Sequence, residues 1–397
     1  MVSAFTLLVA NRTVRAFGYG FASVLLAIYL KLLGGGDAAV VAALGISLVA
    51  GAGLNVLVGY YGDRFGRRKA MVVFGLLMAV AGTILAAAPS FLIALLALGL
   101  GATSPTGTEV GPFLSVEQSI VAEAAASGRR TRAFATYNLV GTLGAAAGAL
   151  SILALQLPVD TSALSPDPLR PMFIVYAILG LAAAGIGRAL PGTVEIGRME
   201  ERVRLSPDSR SRVARMAGLF AVDSFAGGFV IQSFVSFWFF TVYQVPLETL
   251  GLIFSAAGVL TALSFLAAAR LGERFGLLET MVFTHIPSNL LLIAVPLAPG
   301  FLPALGAYLA RMALSQMDVP TRQAYLAGIV GRNERTAANA GTNTARNVAQ
   351  SIGPFSSGAV VAALGSLAVP FLIGGGVKIL YDLAILASFR KVKPEAV

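Results

Sequence analysis

Gly59-Tyr60-Tyr61-Gly62-Asp63-Arg64-Phe65-Gly66-Arg67-Arg68-Lys69 is a dense polar knot between two apolar runs, each long enough to cross a bilayer. Inside hydrocarbon every backbone N–H and C=O must be satisfied within the segment, so an apolar helix cannot stop there. Such a knot therefore marks a turn at a membrane surface. Four cations among residues 64–69 place that surface on the cytoplasmic side. A weakened copy, Gly272-Glu273-Arg274-Phe275-Gly276, stands in the second half of the chain.

The composition agrees. The 397 residues are 57% hydrophobic and 12% charged, about half the charge of an ordinary soluble domain. At about 20 residues per crossing, this length accommodates roughly twelve helices. A transmembrane barrel would alternate in strands of about ten residues; the long runs rich in Ala, Leu, Gly and Val argue for helices. The expected fold is all-α and integral to the membrane, about twelve transmembrane helices in two pseudo-symmetric six-helix halves. The net charge of +10 comes from cation clusters at the ends of apolar runs, which is the positive-inside pattern and not a nucleic-acid surface. No cysteine and a single histidine leave no disulfide, thiol chemistry or His-rich metal site; no metal or cofactor is expected. Met1–Ala10 lacks a basic region and a cleavage pattern, so no removable signal peptide is expected.

Crossings are expected near 14–33, 38–61, 70–88, within 91–124, at 133–156 and 171–190, then at 213–241, 247–269, 278–296, 301–330, 334–363 and 366–389. The fourth contains Gly99, Gly101, Pro105, Gly107, Gly111 and Pro112, too many breakers for a straight helix. Residues 191–211 form a polar linker between an N-terminal half, 1–190, and a C-terminal half, 212–397. Arginines concentrate in the turns assigned to the inside and are absent from most turns assigned to the outside. Both termini are therefore expected in the cytoplasm, with the chain multi-pass in the cell membrane.

The halves align at three places. Arg12-x-x-Arg15-x-x-Gly18 matches Arg212-x-x-Arg215-x-x-Gly218, the two basic knots match, and Gln118 with Ala122 matches Gln323 with Ala327. Parallel repeats of this kind are one known plan for transporters, with substrate at the midplane. The knot itself closely resembles the signature loop of the major facilitator superfamily, through Gly59, Asp63, Arg64, Gly66, Arg67 and Arg68, with Tyr61 where Leu is usual. The resemblance implies a gate role for Asp63, Arg64 and Arg67: Asp63 should face the segment Arg335 to Asn339, with Arg67 as a second bond. It also implies a monomer, in lipid, moving a small molecule.

Charges at bilayer depth cost several kcal/mol unless paired or hydrated. Glu109 and Arg311 stand at matched distances from Arg132 and Arg335, and in the resembled fold their helices line the cavity, so they are a candidate pair for substrate or proton. Asp223 is read as an isolated carboxylate that could carry a proton. Alternatives for it are a packing hydrogen bond or a salt bridge to Arg12 or Arg215. Asp318 and Arg322 share a helix face. Glu117 aligns with Arg322 between halves, which suggests a gating contact; Glu123 with Arg132 and Arg346 follows the same reasoning. Lys378 and Asp382 sit on a helix that the resemblance places outside the cavity, where they are read as neutralising each other. His285 is read as packed, and Trp238 and Tyr243 as an interface belt. Tyr19, Asn138 and Gln232 are polar candidates for substrate, beside Tyr29, Tyr137 and Asn343.

No nucleophile–base pair or phosphate loop is present, so no enzymatic activity is expected. The leading reading is a secondary transporter with rocking-switch alternating access, coupled to protons, leaning to drug-type efflux by antiport. Glycines without proline on the fifth helix leave the export signature of the resembled family incomplete. Uptake of a sugar or organic anion, and a non-transporting sensor or scramblase, are the alternatives.

Overall fold

A computed structural model describes residues 3–108, 113–124, 130–155, 164–195, 205–331 and 334–392. No strand occurs among them. The helices are α1 (Ala4–Leu32), α2 (Asp37–Phe65), α3 (Arg67–Ala87), α4 (Phe91–Gly99), α5 (Phe113–Ala124), α6 (Arg130–Leu150) and α7 (Arg170–Ala189). They continue as α8 (Pro207–Phe229), α9 (Gln232–Tyr243), α10 (Leu247–Phe275), α11 (Leu277–Leu297), α12 (Phe301–Leu314), α13 (Asp318–Gly328), α14 (Arg335–Leu364) and α15 (Val369–Phe389). Among the described residues, nine helical stretches are long and apolar enough to cross a membrane. Leu92, Leu302 and Leu380 are 66–74% exposed. Leucines so placed match a lipid-facing surface.

The two knots are built alike. α2 ends at Phe65, Gly66 takes φ +93° and α3 begins at Arg67; α10 ends at Phe275, Gly276 takes φ +98° and α11 begins at Leu277. That left-handed conformation is open to glycine without steric cost. It lets two long helices reverse with one residue between them.

Other boundaries moved. The first crossing begins at Ala4, ten residues earlier than expected, because the Ser3 hydroxyl accepts from the Thr6 N–H at 3.1 Å and caps the helix. The fourth crossing is broken into α4 and α5, as its glycines and prolines predicted. The seventh and tenth are broken too, at Val230–Ile231 and Ser315–Met317, and neither break was expected. The Ser233 N–H, orphaned by the start of α9, donates to Pro105 O at 2.9 Å, so tertiary structure satisfies what the broken helix leaves open.

The chain forms two compact units. One comprises Met1–Met199 with Ile231–Gly258, the other Glu200–Val230 with Val259–Val397. In the first, α1 packs on α6 and α3 on α7; in the second, α8 packs on α14 and α11 on α15. The same pairs of crossings, first with fifth and third with sixth, thus meet in each. Small residues allow the contact: a Cβ on Gly148 would fall 1.9 Å from Phe17 O, and one on Gly353 would fall 2.4 Å from Gly228 Cα. Close backbone approach through small residues is how membrane helices gain packing energy where lipid supplies no hydrophobic drive.

Candidate substrate and proton site

In the first unit, Arg15 of α1 and Glu117 of α5 are both fully buried. Arg15 Nη1 donates to Glu117 Oε1 at 2.9 Å and Nη2 to Oε2 at 2.7 Å, a bidentate fork. Tyr137 of α6 donates to the same carboxylate, Asn11 accepts from Arg15, and the Phe113 ring lies 3.9 Å from the guanidinium carbon. Glu117 was expected to meet Arg322. Its carboxylate is instead taken up by Arg15, which the longer α1 carries into the interior. Sequence reasoning missed Arg15 because it set Arg12 and Arg15 at the opening of a shorter helix.

Several other candidates lie in this unit. Tyr19 is buried with its ring 6.3 Å from that of Tyr176. Asn138 is exposed, and its carbonyl accepts from Thr142. Gln232 donates to the Ser23 hydroxyl at 2.7 Å, and Ser233 and Ser236 donate to the carbonyls of Ser23 and Val24; these bonds lace α9 to α1. Trp238 is 2% exposed and packs on Phe239 and Tyr243, so the expected interface tryptophan is a core residue. Tyr29 donates to Leu85 O.

Of the knot, Asp63 and Arg64 lie in α2 and Arg132 in α6, but their side chains fall outside the described residues, as do those of Arg130 and Glu123. Glu109 also falls outside. Arg67, expected to bond toward 335–339, has partners in its own unit. Its N–H donates to Glu195 Oε2 at 2.8 Å and its Nη1 to Val194 O at 3.2 Å, while the Arg68 N–H donates to Glu195 Oε1 at 3.1 Å. A carboxylate on the first amides of a helix satisfies orphan donors and meets the positive end of the dipole. The linker thus begins by capping α3.

The second unit holds the main cluster of buried charge. Asp223 of α8, 4% exposed, accepts from Lys378 Nζ of α15 at 2.5 Å. Arg322 of α13 and the His285 Nε2 of α11 each lie 3.9 Å from its carboxylate. Asp223 was expected to stand alone; α15 packs against both α8 and α11 and delivers the partner. Lys378 and Asp382, expected to neutralise each other, serve different neighbours. Asp382 accepts from His285 Nδ1 at 2.7 Å and from Asn289 Nδ2 at 3.1 Å. Their four-residue spacing was the signal available, and the assumed peripheral place of that helix concealed it.

Arg322 Nη1 donates to Asp318 Oδ2 at 2.8 Å, one turn away on α13. Its guanidinium stands 5.3 Å from the Phe220 ring. Arg346 of α14 donates from Nε to Ser224 Oγ at 3.1 Å. Arg311 of α12 is half-buried and donates to Met312 Sδ at 3.4 Å. Arg335 opens α14, and its Nε makes no hydrogen bond. Beside Arg322 and Arg346 is an open cleft, lined also by Phe220, Gln323, Asn339 and Asn343.

Among the described residues no group of His, Cys, Asp and Glu is arranged to hold a metal. What the described residues hold is a set of buried ion pairs within a helical membrane protein. The Major Facilitator Superfamily profile matches residues 8–315, and the chain belongs to that family. It is similar to the uncharacterized membrane protein YJR124C of Saccharomyces cerevisiae, 24% identical over 97% of this chain and 94% of that one. In fold it is similar to the nucleoside transporter NupG, with a TM-score of 0.75 at 15% identity, covering 99% of this chain and 100% of that chain. The inward-open xylose transporter XylE from E. coli gives a TM-score of 0.70 at 17% identity, covering 98% and 96%.

Proposed function

We propose that the protein is a secondary active transporter that moves a small molecule by alternating access of its two halves, 1–190 and 212–397, joined by 191–211, and that protons drive it. The observation that carries this reading is the buried Asp223–Lys378 pair with His285 3.9 Å from the same carboxylate. An ion pair buried this deeply is held by mutual attraction in a poor solvent for charge. A proton on Asp223 cancels that attraction, releases Lys378 and re-weights the packing of α8 against α15. That is the local event a proton-driven switch requires. The protein is placed in the cell membrane as a monomer with both termini cytoplasmic, and Asp63 and Arg67 are assigned to the gate on the strength of the knot.

Between the cargoes weighed from sequence, the charges of the second unit read at bilayer depth favour an organic anion over an amphipathic drug. Four Lys/Arg (Arg311, Arg322, Arg346, Lys378) stand against three Asp (223, 318, 382).

The test is proton flux into proteoliposomes holding an internal pH dye, with a panel of organic acids, sugars and drugs. Substrate-dependent proton movement is expected for the wild type. Asp223→Asn should abolish it while leaving substrate exchange across the membrane intact. Proton movement at the wild-type rate in Asp223→Asn would refute the assignment.

A further inference from the structure

Resting on the transport reading, we infer that the cleft beside Arg322 and Arg346 is the subsite for the charged group of a small organic anion. The argument begins with unmatched charge. Of the four Lys/Arg in the cluster, Lys378 is matched to Asp223 and Arg322 to Asp318, Arg311 bonds to Met312 Sδ, and Asp382 is engaged by His285 and Asn289. Arg346 has no carboxylate within 4 Å among the described residues; its bond is to a serine hydroxyl. A guanidinium keeps its charge, so the half-buried Arg346, with no carboxylate beside it, can take a counter-ion from outside.

Arg322 supplies the second observation. It is 3% exposed and lines the cleft. It spends Nη1 on Asp318, and its buried Nη2 makes no close hydrogen bond, with the Tyr381 side chain beside the guanidinium. A buried donor left open carries the full desolvation penalty of the group, whereas a carboxylate or phosphate oxygen accepting there would form a charge-assisted bond. The planar fork of arginine matches two oxygens of such a group, which an ammonium does not.

The remaining lining fits the rest of a small anionic molecule. Asn339, Asn343 and Gln323 offer amide donors and acceptors, and Phe220 and Leu326 provide an apolar wall. Two guanidiniums and three side-chain amides suit a carboxylate or phosphate ester better than an amphipathic drug. The two cations come from different helices, α13 and α14, so a bound anion would also bridge them.

Full-length protein in nanodiscs is titrated calorimetrically with lactate, succinate and glycerol 3-phosphate, each against its neutral counterpart: lactamide, succinamide and glycerol. At least one anion is expected to bind, with its neutral counterpart tenfold or more weaker. Arg346→Gln should weaken the anion tenfold or more. Arg322→Lys, which keeps the charge and the pairing with Asp318 but loses the fork, should weaken it less. Size-exclusion profiles and the melting temperature establish that each variant is folded. Equal binding of charged and neutral members, an affinity unchanged by both substitutions, or no binding by any of the three anions would overturn the proposal. The same panel in proteoliposomes separates its failure from that of the transport reading. Proton-linked movement of a neutral or cationic compound alone removes the anion subsite and keeps transport. An anion that binds at Arg346 but is never translocated keeps the subsite and removes transport.

Discussion

Glu117→Gln keeps the volume of the side chain and removes its charge from the most completely buried ion pair described in the protein. The pair has both members at 0% exposure and two bonds, of 2.7 and 2.9 Å. Two unit charges about 4 Å apart at an effective dielectric constant of about 20 attract by about 4 kcal/mol. Leaving one member of a buried pair uncompensated costs roughly 3–5 kcal/mol. The amide oxygen of Gln still accepts one bond from Arg15, so the loss should fall near the lower end, about 3 kcal/mol. The double variant Arg15→Met with Glu117→Leu leaves no charge behind and should recover much of the loss, a coupling of up to about 3 kcal/mol. The assay is equilibrium unfolding in mixed detergent and SDS micelles followed by fluorescence. Trp238 is the single tryptophan, and it is buried in the same unit as the pair. A Glu117→Gln variant within about 0.5 kcal/mol of wild type, or a double variant as unstable as the sum of Arg15→Met and Glu117→Leu measured singly, would refute the reasoning.

Two further outcomes test other parts of the structure. Glu334, in the turn between α13 and α14, accepts from the Ser209 hydroxyl and the Ser206 N–H, both at 2.5 Å. The Ser209 hydroxyl, then the Ser206 amide, stabilise the ionised form and hold the Glu334 carboxyl at about 2, below its ordinary value of 4.5. A depressed folded value means the stabilisation is complete above the unfolded value and disappears as pH falls from about 4.5 toward about 2. The difference in melting temperature between wild type and Glu334→Gln should therefore be constant above about pH 5 and vanish near pH 2; a difference that widens on acidification would contradict it. Gly353→Val sets a Cβ 2.4 Å from Gly228 Cα, a backbone atom that cannot step aside, and should cost about 3 kcal/mol in equilibrium unfolding followed by far-ultraviolet circular dichroism. Gly341→Ala, on the same helix with nothing within 4 Å of the added carbon, should instead gain about 0.5–1 kcal/mol; equal effects would show that close packing of α8 on α14 is not what Gly353 serves.

Much of the fold was legible because bilayer and backbone impose it locally. A run of about twenty apolar residues must be helical to satisfy its own backbone. A cation cluster marks where it stops, and a glycine at +93° or +98° marks how it turns. The break at Val230 was not legible, since no proline stands there and the freed Ser233 N–H finds its partner far along the chain at Pro105 O; the break at Ser315–Met317 had a local signal that went unread, Pro320, which has no N–H to give to Gln316 O. The sequence by itself determined the membrane class, the basic knots with their glycine turns, and the pairing of Asp318 with Arg322 one turn away, for these depend on composition and on spacing along one helix. Only tertiary structure decided which charges share a site. Arg15 with Glu117, Lys378 with Asp223 and His285 with Asp382 join residues 97–155 positions apart. Ion pairs depend on distance in space, and that distance is set by the packing of α1 on α5 and of α15 on α8 and α11, which no local pattern encodes.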